Sequence, residues 1–306
     1  MHPDYKMSIA GLIVGVVVGL TGMGGGALMT PILVLFFHTT PSAAVSSDLV
    51  TSLFMKPIGG AVHWRRATVH RQIVKWLLIP AVPSAFAGVF VLNALGGKSA
   101  EDRIKFILGV ALVLAFVAMV LRLLMRRTEQ VAGDDGLDTP VRRPRTILIG
   151  MLGGLVVGMT SVGSGSMIIV ALMWLYPRLS NRALVGTDLV QAVPLVGAAA
   201  LGHVLFGDVN VGVTAWLLVG SLPGVFVGAQ ISSRTTAPWL RPVLAAVLLA
   251  SAMKLLNAPS LLTGGISVAV ALLLLFVLPW ILPQRGAPKP APALATEENS
   301  HRAHLG

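Results

Sequence analysis

The chain has 306 residues, of which 55% are hydrophobic and only 11% are charged, and its net charge is +11. Its apolar residues form runs of about 20, the length that crosses the hydrocarbon core of a bilayer, which excludes an ordinary soluble domain. The basic residues lie in short loops between these runs, which argues against nucleic-acid binding, and the absence of cysteine excludes disulfides and thiolate chemistry.

The first half of the chain begins with two short apolar pieces, 7–21 and 27–37, separated by glycines. At about 1.5 Å per residue neither piece crosses a core of about 30 Å, so we expect a pair of half-helices. The first six residues are too short for a cleavable targeting sequence, so we expect the N-terminus to be retained. Full spans are predicted near 43–62, 73–95 and 104–125. The polar stretch 126–145 that follows is predicted to be a solvated linker.

The second half follows the same order. Short apolar pieces at 146–159 and 166–176 again flank a glycine-containing loop. Full spans are predicted near 184–206, 212–231 and 240–256. One more span near 261–282 has no counterpart in the first half, and the tail 284–306, rich in Pro and Ala, is predicted to be disordered.

Internal similarity relates the two halves residue by residue. With a shift of 139, Gly11, Gly15, Gly19, Thr21, Gly24 and Gly26 return as Gly150, Gly154, Gly158, Thr160, Gly163 and Gly165. With a shift of 140, Asp48-Leu49-Val50 returns as Asp188-Leu189-Val190 and His63 returns as His203. An ordered run of this length indicates a duplicated unit, which we place at 7–125 and 146–256.

Loop charges predict how the two halves are oriented. The loop after 43–62 carries Arg65, Arg66, Arg71 and Lys75. The matching loop of the second half has no Lys or Arg. The opposite holds for the loops after the half-helix pairs, since Arg178 and Arg182 follow the second pair whereas neither Lys nor Arg follows the first pair at 38–42. Because Lys and Arg gather on the cytoplasmic side, we expect inverted halves, an outside N-terminus, a cytoplasmic linker and an inside C-terminus.

The predicted fold is therefore an all-α polytopic membrane protein. It consists of two inverted repeats and one extra C-terminal span. Each repeat has a glycine-broken half-helix pair followed by three spanning helices.

The two glycine-containing loops are the first candidates for a binding site. Each interrupts a helix inside the membrane, where its free backbone N–H groups must be satisfied, and each is followed by a helix whose N-terminus attracts an anion. The candidate substrate-binding residues in them are Thr21, Gly22, Gly24, Gly25, Gly26, Thr160, Ser161, Gly163, Ser164, Gly165 and Ser166. The glycines at every fourth position before each loop are better explained by close helix packing.

A dinucleotide-binding fingerprint also matches Gly22, Gly24 and Ala27. That motif requires a short preceding strand, whereas an apolar membrane segment precedes it here. We therefore predict no cofactor, and no metal site.

Ionisable and polar residues inside the predicted spans are further candidates, since charge is costly in a membrane. Lys56, whose counterpart is Val196, is expected to supply one positive charge that binds an anion. The alternative is that its side chain extends to the membrane–water interface and binds nothing. Asp48 and Asp188 are interpreted either as helix caps or as proton-coupling carboxylates.

Two histidines lie at matched span ends. His63 and His203 fit interfacial histidines better than ligands or proton relays, although each role remains open. Gln191 is expected to form part of the polar lining.

Taken together, these motifs resemble the sulfite exporter TauE/SafE family. The likeness rests on Gly-Leu-Thr-Gly-Met-Gly-Gly-Gly at 19–26, on Ser47-Asp48-Leu49 through Lys56 to His63, and on Gly186-Thr187-Asp188-Leu189 to Gly202-His203. It covers 10–125 and 146–280. The resemblance implies a carrier for small, often sulfur-containing anions such as sulfite, sulfonates or sulfoacetate, in either direction.

We therefore expect a secondary transporter, not an enzyme, that moves a small anion across a bacterial inner membrane by alternating access. Its partners would be the anion, the lipid bilayer and a coupling ion such as the proton, and the sequence predicts no oligomeric state. One alternative is a membrane-embedded hydrolase that uses Ser161 or Ser164 with His203, although no nucleophile elbow or zinc motif occurs in the required context. The other is a non-transporting assembly factor that binds a partner through basic loops.

Overall fold

The computed structural model describes residues 5–21, 25–65, 69–94, 100–124, 136–163, 165, 167–234 and 240–277, with the side chains of 59–65, 100, 181, 232–234 and 241 excepted. The described chain is helical throughout and contains no strand, which confirms the predicted all-α class. The predicted tail, the first half of the predicted linker and the end of the last predicted span lie outside these residues.

The helices follow the predicted order. The first half forms α1 (Tyr5–Thr21), α2 (Gly26–Phe36), α3 (Pro41–Arg65), α4 (Arg71–Ala94) and α5 (Ala100–Leu124). The second half forms α6 (Arg143–Thr160), α7 (Met167–Leu175), α8 (Asn181–Phe206), α9 (Val211–Arg234) and α10 (Leu240–Leu255). After it, α11 (Ser260–Leu272) ends in a π-helical turn, Leu273–Val277.

Helix length and composition agree with a multi-pass membrane protein. Among the described residues, four helices are long and apolar enough to cross a membrane. They comprise Arg71–Ala94, Glu101–Leu124, Arg182–Phe206 and Val211–Ile231. The helices α2 and α7 have only 11 and 9 residues, as expected of half-helices. The helix α3 has 25 residues, but Asp48 and Lys56 lie within it.

Glycines allow α1 to approach the backbone of α9, and α6 to approach that of α4. A Cβ on Gly11 would lie 2.8 Å from the carbonyl oxygen of Leu217, and a Cβ on Gly15 would lie 3.0 Å from the Cα of Ser221. Such contacts repeat along both helix pairs. The packing interpretation of the regularly spaced glycines is therefore confirmed.

These contacts also give the directions of the helices. Positions 11, 15 and 19 of α1 meet successively later positions of α9, so α1 and α9 run parallel. Positions 150, 154 and 158 of α6 likewise meet positions 77, 81 and 85 of α4. Near its end α4 also runs parallel to α8, because Phe86 and Val89 contact Gly202 while Asn93 donates to the carbonyl oxygen of Phe206 at 2.6 Å.

The matched helices α3 and α8 pack against each other in opposite directions. The contacting pairs are Ser42 with Asp208, Ser46 with His203, and Leu53 with Gly197. Two residues further along, the same register places Met55 level with Leu195, its counterpart in the repeat, and both are buried. We call this level, where matched residues coincide, the crossing point of α3 and α8.

Replacing Gly154 by alanine should destabilise the protein, because a Cβ there would overlap the carbonyl oxygen of Ala81 and lie 2.8 Å from its Cα. Backbone atoms cannot move aside cheaply, and overpacking of this kind costs about 1–3 kcal/mol. Gly264 offers a matched control, since nothing lies within 4 Å of its would-be Cβ. Thermal unfolding in detergent should show a lower midpoint for Gly154→Ala alone, and equal midpoints would contradict the close packing of α4 on α6.

Candidate functional site

Asp48 lies fully buried inside α3 and accepts hydrogen bonds from three hydroxyl groups. Thr30 of α2 donates to Oδ2 at 3.0 Å, and Ser52 donates to Oδ1 at 3.3 Å. The third donor is Ser161, whose hydroxyl bonds to Oδ2 from the loop between α6 and α7. The second half of the chain therefore contributes directly to the surroundings of an acid in the first half.

The two glycine-containing loops meet at this acid. A Cβ on Gly25 would lie 3.5 Å from Oδ1 of Asp48, and one on Gly26 would overlap the backbone and hydroxyl of Ser161. Ser161 itself ends α6 in the left-handed conformation, with φ of 62°, while Gly163 and Gly165 have φ of 117° and 118°. Residues of the two loops therefore lie against each other beside Asp48.

Some predicted loop residues bond within their own segment. Thr21 donates to the carbonyl oxygen of Val17 at 2.7 Å, and Thr160 donates to that of Val156 at 2.6 Å. Gly22, Gly24, Ser164 and Ser166 lie outside the described residues, as does the side chain of His63.

Asp188 has different surroundings from its counterpart Asp48. Its Oδ1 accepts a hydrogen bond of 3.1 Å from Nε2 of Gln191, a residue with no exposed surface. The Oε1 atom of Gln191 is buried without a partner among the described residues. Arg122 of α5 interacts electrostatically with Asp188. Neither aspartate caps its helix, because α3 begins at Pro41 and Ser180 caps α8 by accepting from the N–H of Ala183 at 3.0 Å.

Lys56 lies next to the crossing point of α3 and α8. Its side chain is 7% exposed, and its ammonium interacts electrostatically with both Asp48 and Asp188. Each aspartate precedes the crossing point by seven residues, which is about 10 Å along a helix. Because the helices are antiparallel, the two carboxylates lie on opposite sides of the lysine along the helix axes.

His203 bridges three helices and is 1% exposed. One ring nitrogen, Nδ1, lies 2.7 Å from the hydroxyl of Ser46 on α3, and Nε2 lies 2.8 Å from the carbonyl oxygen of Gly158 on α6. Both ring nitrogens of His203 are therefore hydrogen-bonded inside the protein.

Sequence reasoning missed several polar residues that the fold brings to this region. Thr30 is the polar side chain of an otherwise apolar half-helix, a signal that was available in the sequence. The ring nitrogen Nδ1 of His70 accepts from the backbone N–H of Ile73 at 3.2 Å, at the start of α4. The backbone N–H of His70 donates to the hydroxyl of Thr187 at 3.0 Å. The matched Asn210 accepts from the N–H of Val213 at 3.1 Å at the start of α9.

Comparison with known proteins finds a family model and several relatives that match most of the chain. The family model described as "Sulfite exporter TauE/SafE" matches residues 7–255. The chain is 38% identical over 255 residues to "Probable membrane transporter protein YjnA" of Bacillus subtilis (strain 168), covering 83% of this chain and 100% of the relative. It is 25% identical over 243 residues to "Probable membrane transporter protein YdhB" of the same organism, covering 78% and 96%. No solved structure matches. The chain therefore belongs to the sulfite exporter TauE/SafE family.

Proposed function

We propose that this protein is a secondary transporter of the bacterial inner membrane that carries a small anion of the sulfite, sulfonate or sulfoacetate type by alternating access. The observation that carries the proposal is the burial of Lys56 between Asp48, where loops from both halves meet, and Asp188. A charge is costly inside a membrane and marks a substrate or ion pathway. The family and the names of the two relatives support the same function.

Lys56 and the hydroxyls around Asp48 suit an oxyanion. An ammonium group is a compact positive charge with three donors, and the hydroxyls of Thr30, Ser52 and Ser161, which surround Asp48, are further donors.

We further propose that the two halves, 7–125 and 146–256, are inverted relative to each other, with 126–145 as a cytoplasmic linker and 261–282 as an additional span. Support comes from the antiparallel packing of the matched helices α3 and α8. In addition, α6 and α8 both run parallel to α4, so α7 has to return toward the side from which α6 entered. The loop charges favour the same arrangement.

Alternating access is supported by a difference between matched positions of the two halves. The N–H of His70 donates to Thr187, whereas Ser47, the counterpart of Thr187, has a buried hydroxyl without a partner among the described residues. His70 is buried and its counterpart Asn210 is exposed. A transporter that closes one side of the membrane at a time requires one half to make a contact that the other half lacks. In the opposite state the second half would make its contact and the first half would lose it.

The alternatives receive no specific support. A hydrolase would need Ser161 activated by a base such as His203. Here Ser161 donates to Asp48, and both ring nitrogens of His203 bond elsewhere. For an assembly factor, the described residues show no partner-binding feature beyond the basic loops.

The substrate class is tested by counterflow in proteoliposomes. We expect exchange of at least one labelled anion among sulfite, sulfoacetate and thiosulfate, because the site offers one positive charge and several hydroxyl donors. Empty liposomes give the background. If none of the three anions exchanges above that background, the proposed function is wrong.

The inverted arrangement predicts opposite accessibility for equivalent loops. The chain lacks cysteine, so single cysteines can be introduced and labelled without removing any native thiol. Thr40→Cys, in the exposed loop after α2, should react with an impermeant maleimide from the periplasmic side. Arg178→Cys, in the corresponding exposed loop after α7, should react from the cytoplasmic side. Labelling of both from the same side would contradict inversion.

Lys56→Met should raise the half-saturating anion concentration about tenfold or more, because a hydrogen bond to a charged group contributes about 1.5–3 kcal/mol. Lys105→Met is the control, since Lys105 pairs with Glu101 at 4.0 Å on the exposed face of α5, where ion pairs contribute little. Unfolding midpoints measured in parallel would show whether both variants fold. Equal transport by the two folded variants would remove Lys56 from the site.

A further inference from the structure

We propose that Asp48 is a proton-binding site and that a proton accompanies the anion, an inference that rests on the proposed transport function. Among the described residues, the fully buried groups that carry formal charge are Asp48, Asp188 and Lys56. With both carboxylates ionised, these three groups and Arg122, which interacts with Asp188, sum to zero charge. An entering anion would add a negative charge to a buried site, which is strongly unfavourable without a compensating positive charge.

The charged and titratable groups around Asp48 are few. Lys56 on α3 interacts with Asp48 directly, while Asp188 and His203 lie on the neighbouring α8. Arg122, on α5, interacts with Asp188. The packed α2 contains no titratable residue, and α9 contains one only at its C-terminal end, Arg234. No group facing Asp48 supplies the extra positive charge, so a proton is the simplest source.

The hydrogen bonds of the two aspartates identify which one takes the proton. Asp48 bonds to hydroxyl groups of Thr30, Ser52 and Ser161, and a hydroxyl can either donate or accept. Asp48 therefore stays satisfied when it is ionised and when it is protonated. Asp188 accepts from the Nε2 donor of Gln191 and interacts with Lys56 and Arg122, two positive charges that stabilise its ionised form.

Protonation of Asp48 also changes what Ser161 can do. In the ionised state the Ser161 hydroxyl is committed to the carboxylate. A protonated Asp48 instead donates its proton to a neighbouring hydroxyl oxygen, and the hydroxyl proton of Ser161 becomes available to an anion held by Lys56. The step transfers one proton from water to Asp48 and breaks no other covalent bond. Proton and anion binding are therefore coupled through one residue of the second loop.

The experiment uses the full-length protein in proteoliposomes with sulfoacetate as the probe, between about pH 6 and 8, where its sulfonate and carboxylate both stay ionised. With the membrane potential clamped, an inward proton gradient of one pH unit should drive accumulation of about tenfold per coupled proton. A pH dye inside the vesicles should also report acidification when sulfoacetate enters down its own gradient. Net sulfoacetate entry into wild-type vesicles without acidification would overturn the inference.

Asp48→Asn should lose the sulfoacetate accumulation that the proton gradient drives, since the amide cannot bind a proton. Asp102→Asn, at an exposed position of α5, is the matched control and should retain that accumulation. Gradient-driven accumulation by Asp48→Asn would overturn the inference. Absence of counterflow in the wild type with sulfoacetate, sulfite and thiosulfate would instead overturn the proposed function and, with it, this inference. The pH-dye measurement on the wild type decides the matter if Asp48→Asn does not fold.

Discussion

The charge of Lys56 is the constraint on which the rest of the site depends. An ammonium group inside a membrane needs compensating charge, and the two aspartates supply it from opposite sides along α3 and α8. The aspartates in turn need donors, which come from α2, from α8 and from a loop of the other half. Because every buried charge requires a partner on another segment, the site cannot assemble until both halves are in contact.

The halves are interlocked by small residues as well as by charge. The first helix of each half packs on the fourth helix of the other, through glycines that bring backbones together. Such surfaces tolerate little sliding, because a shift would bring a larger side chain against the opposing backbone. Movement is easier elsewhere. The helices α3 and α8 contain Pro57 and Pro194 near their crossing point, and proline removes an internal hydrogen bond and favours bending there.

Much of this arrangement could be predicted from the sequence because it leaves local signals. The glycine-broken loops, the buried Lys56 and the repeated aspartates all break the apolar pattern of their segments. The partners of these residues left no such signal. That Ser161 would donate to Asp48, or that His203 would join Ser46 to Gly158, depends on which helices pack together and in which direction. Pairing between distant segments is a tertiary property, and periodicity within one segment does not encode it.

Duplication explains why a symmetric scaffold holds an asymmetric site. In the repeat, Lys56 corresponds to Val196 and Ser52 corresponds to Ala192. The stretch of α7 that corresponds to Thr30 is apolar, with Ile169 and Val170. The first half therefore contributes the positive charge and most hydroxyls, whereas the second contributes Gln191 and the hydroxyl of its loop. Two identical halves would place two lysines beside each other at the crossing point, where like charges repel across a short distance in a medium of low dielectric constant. Because matched residues lie level with each other at the crossing point, a single positive charge there requires the two halves to differ in sequence. The order of helices is the same in both halves, and this shared order preserves the packing of matched helices that movement between two states requires.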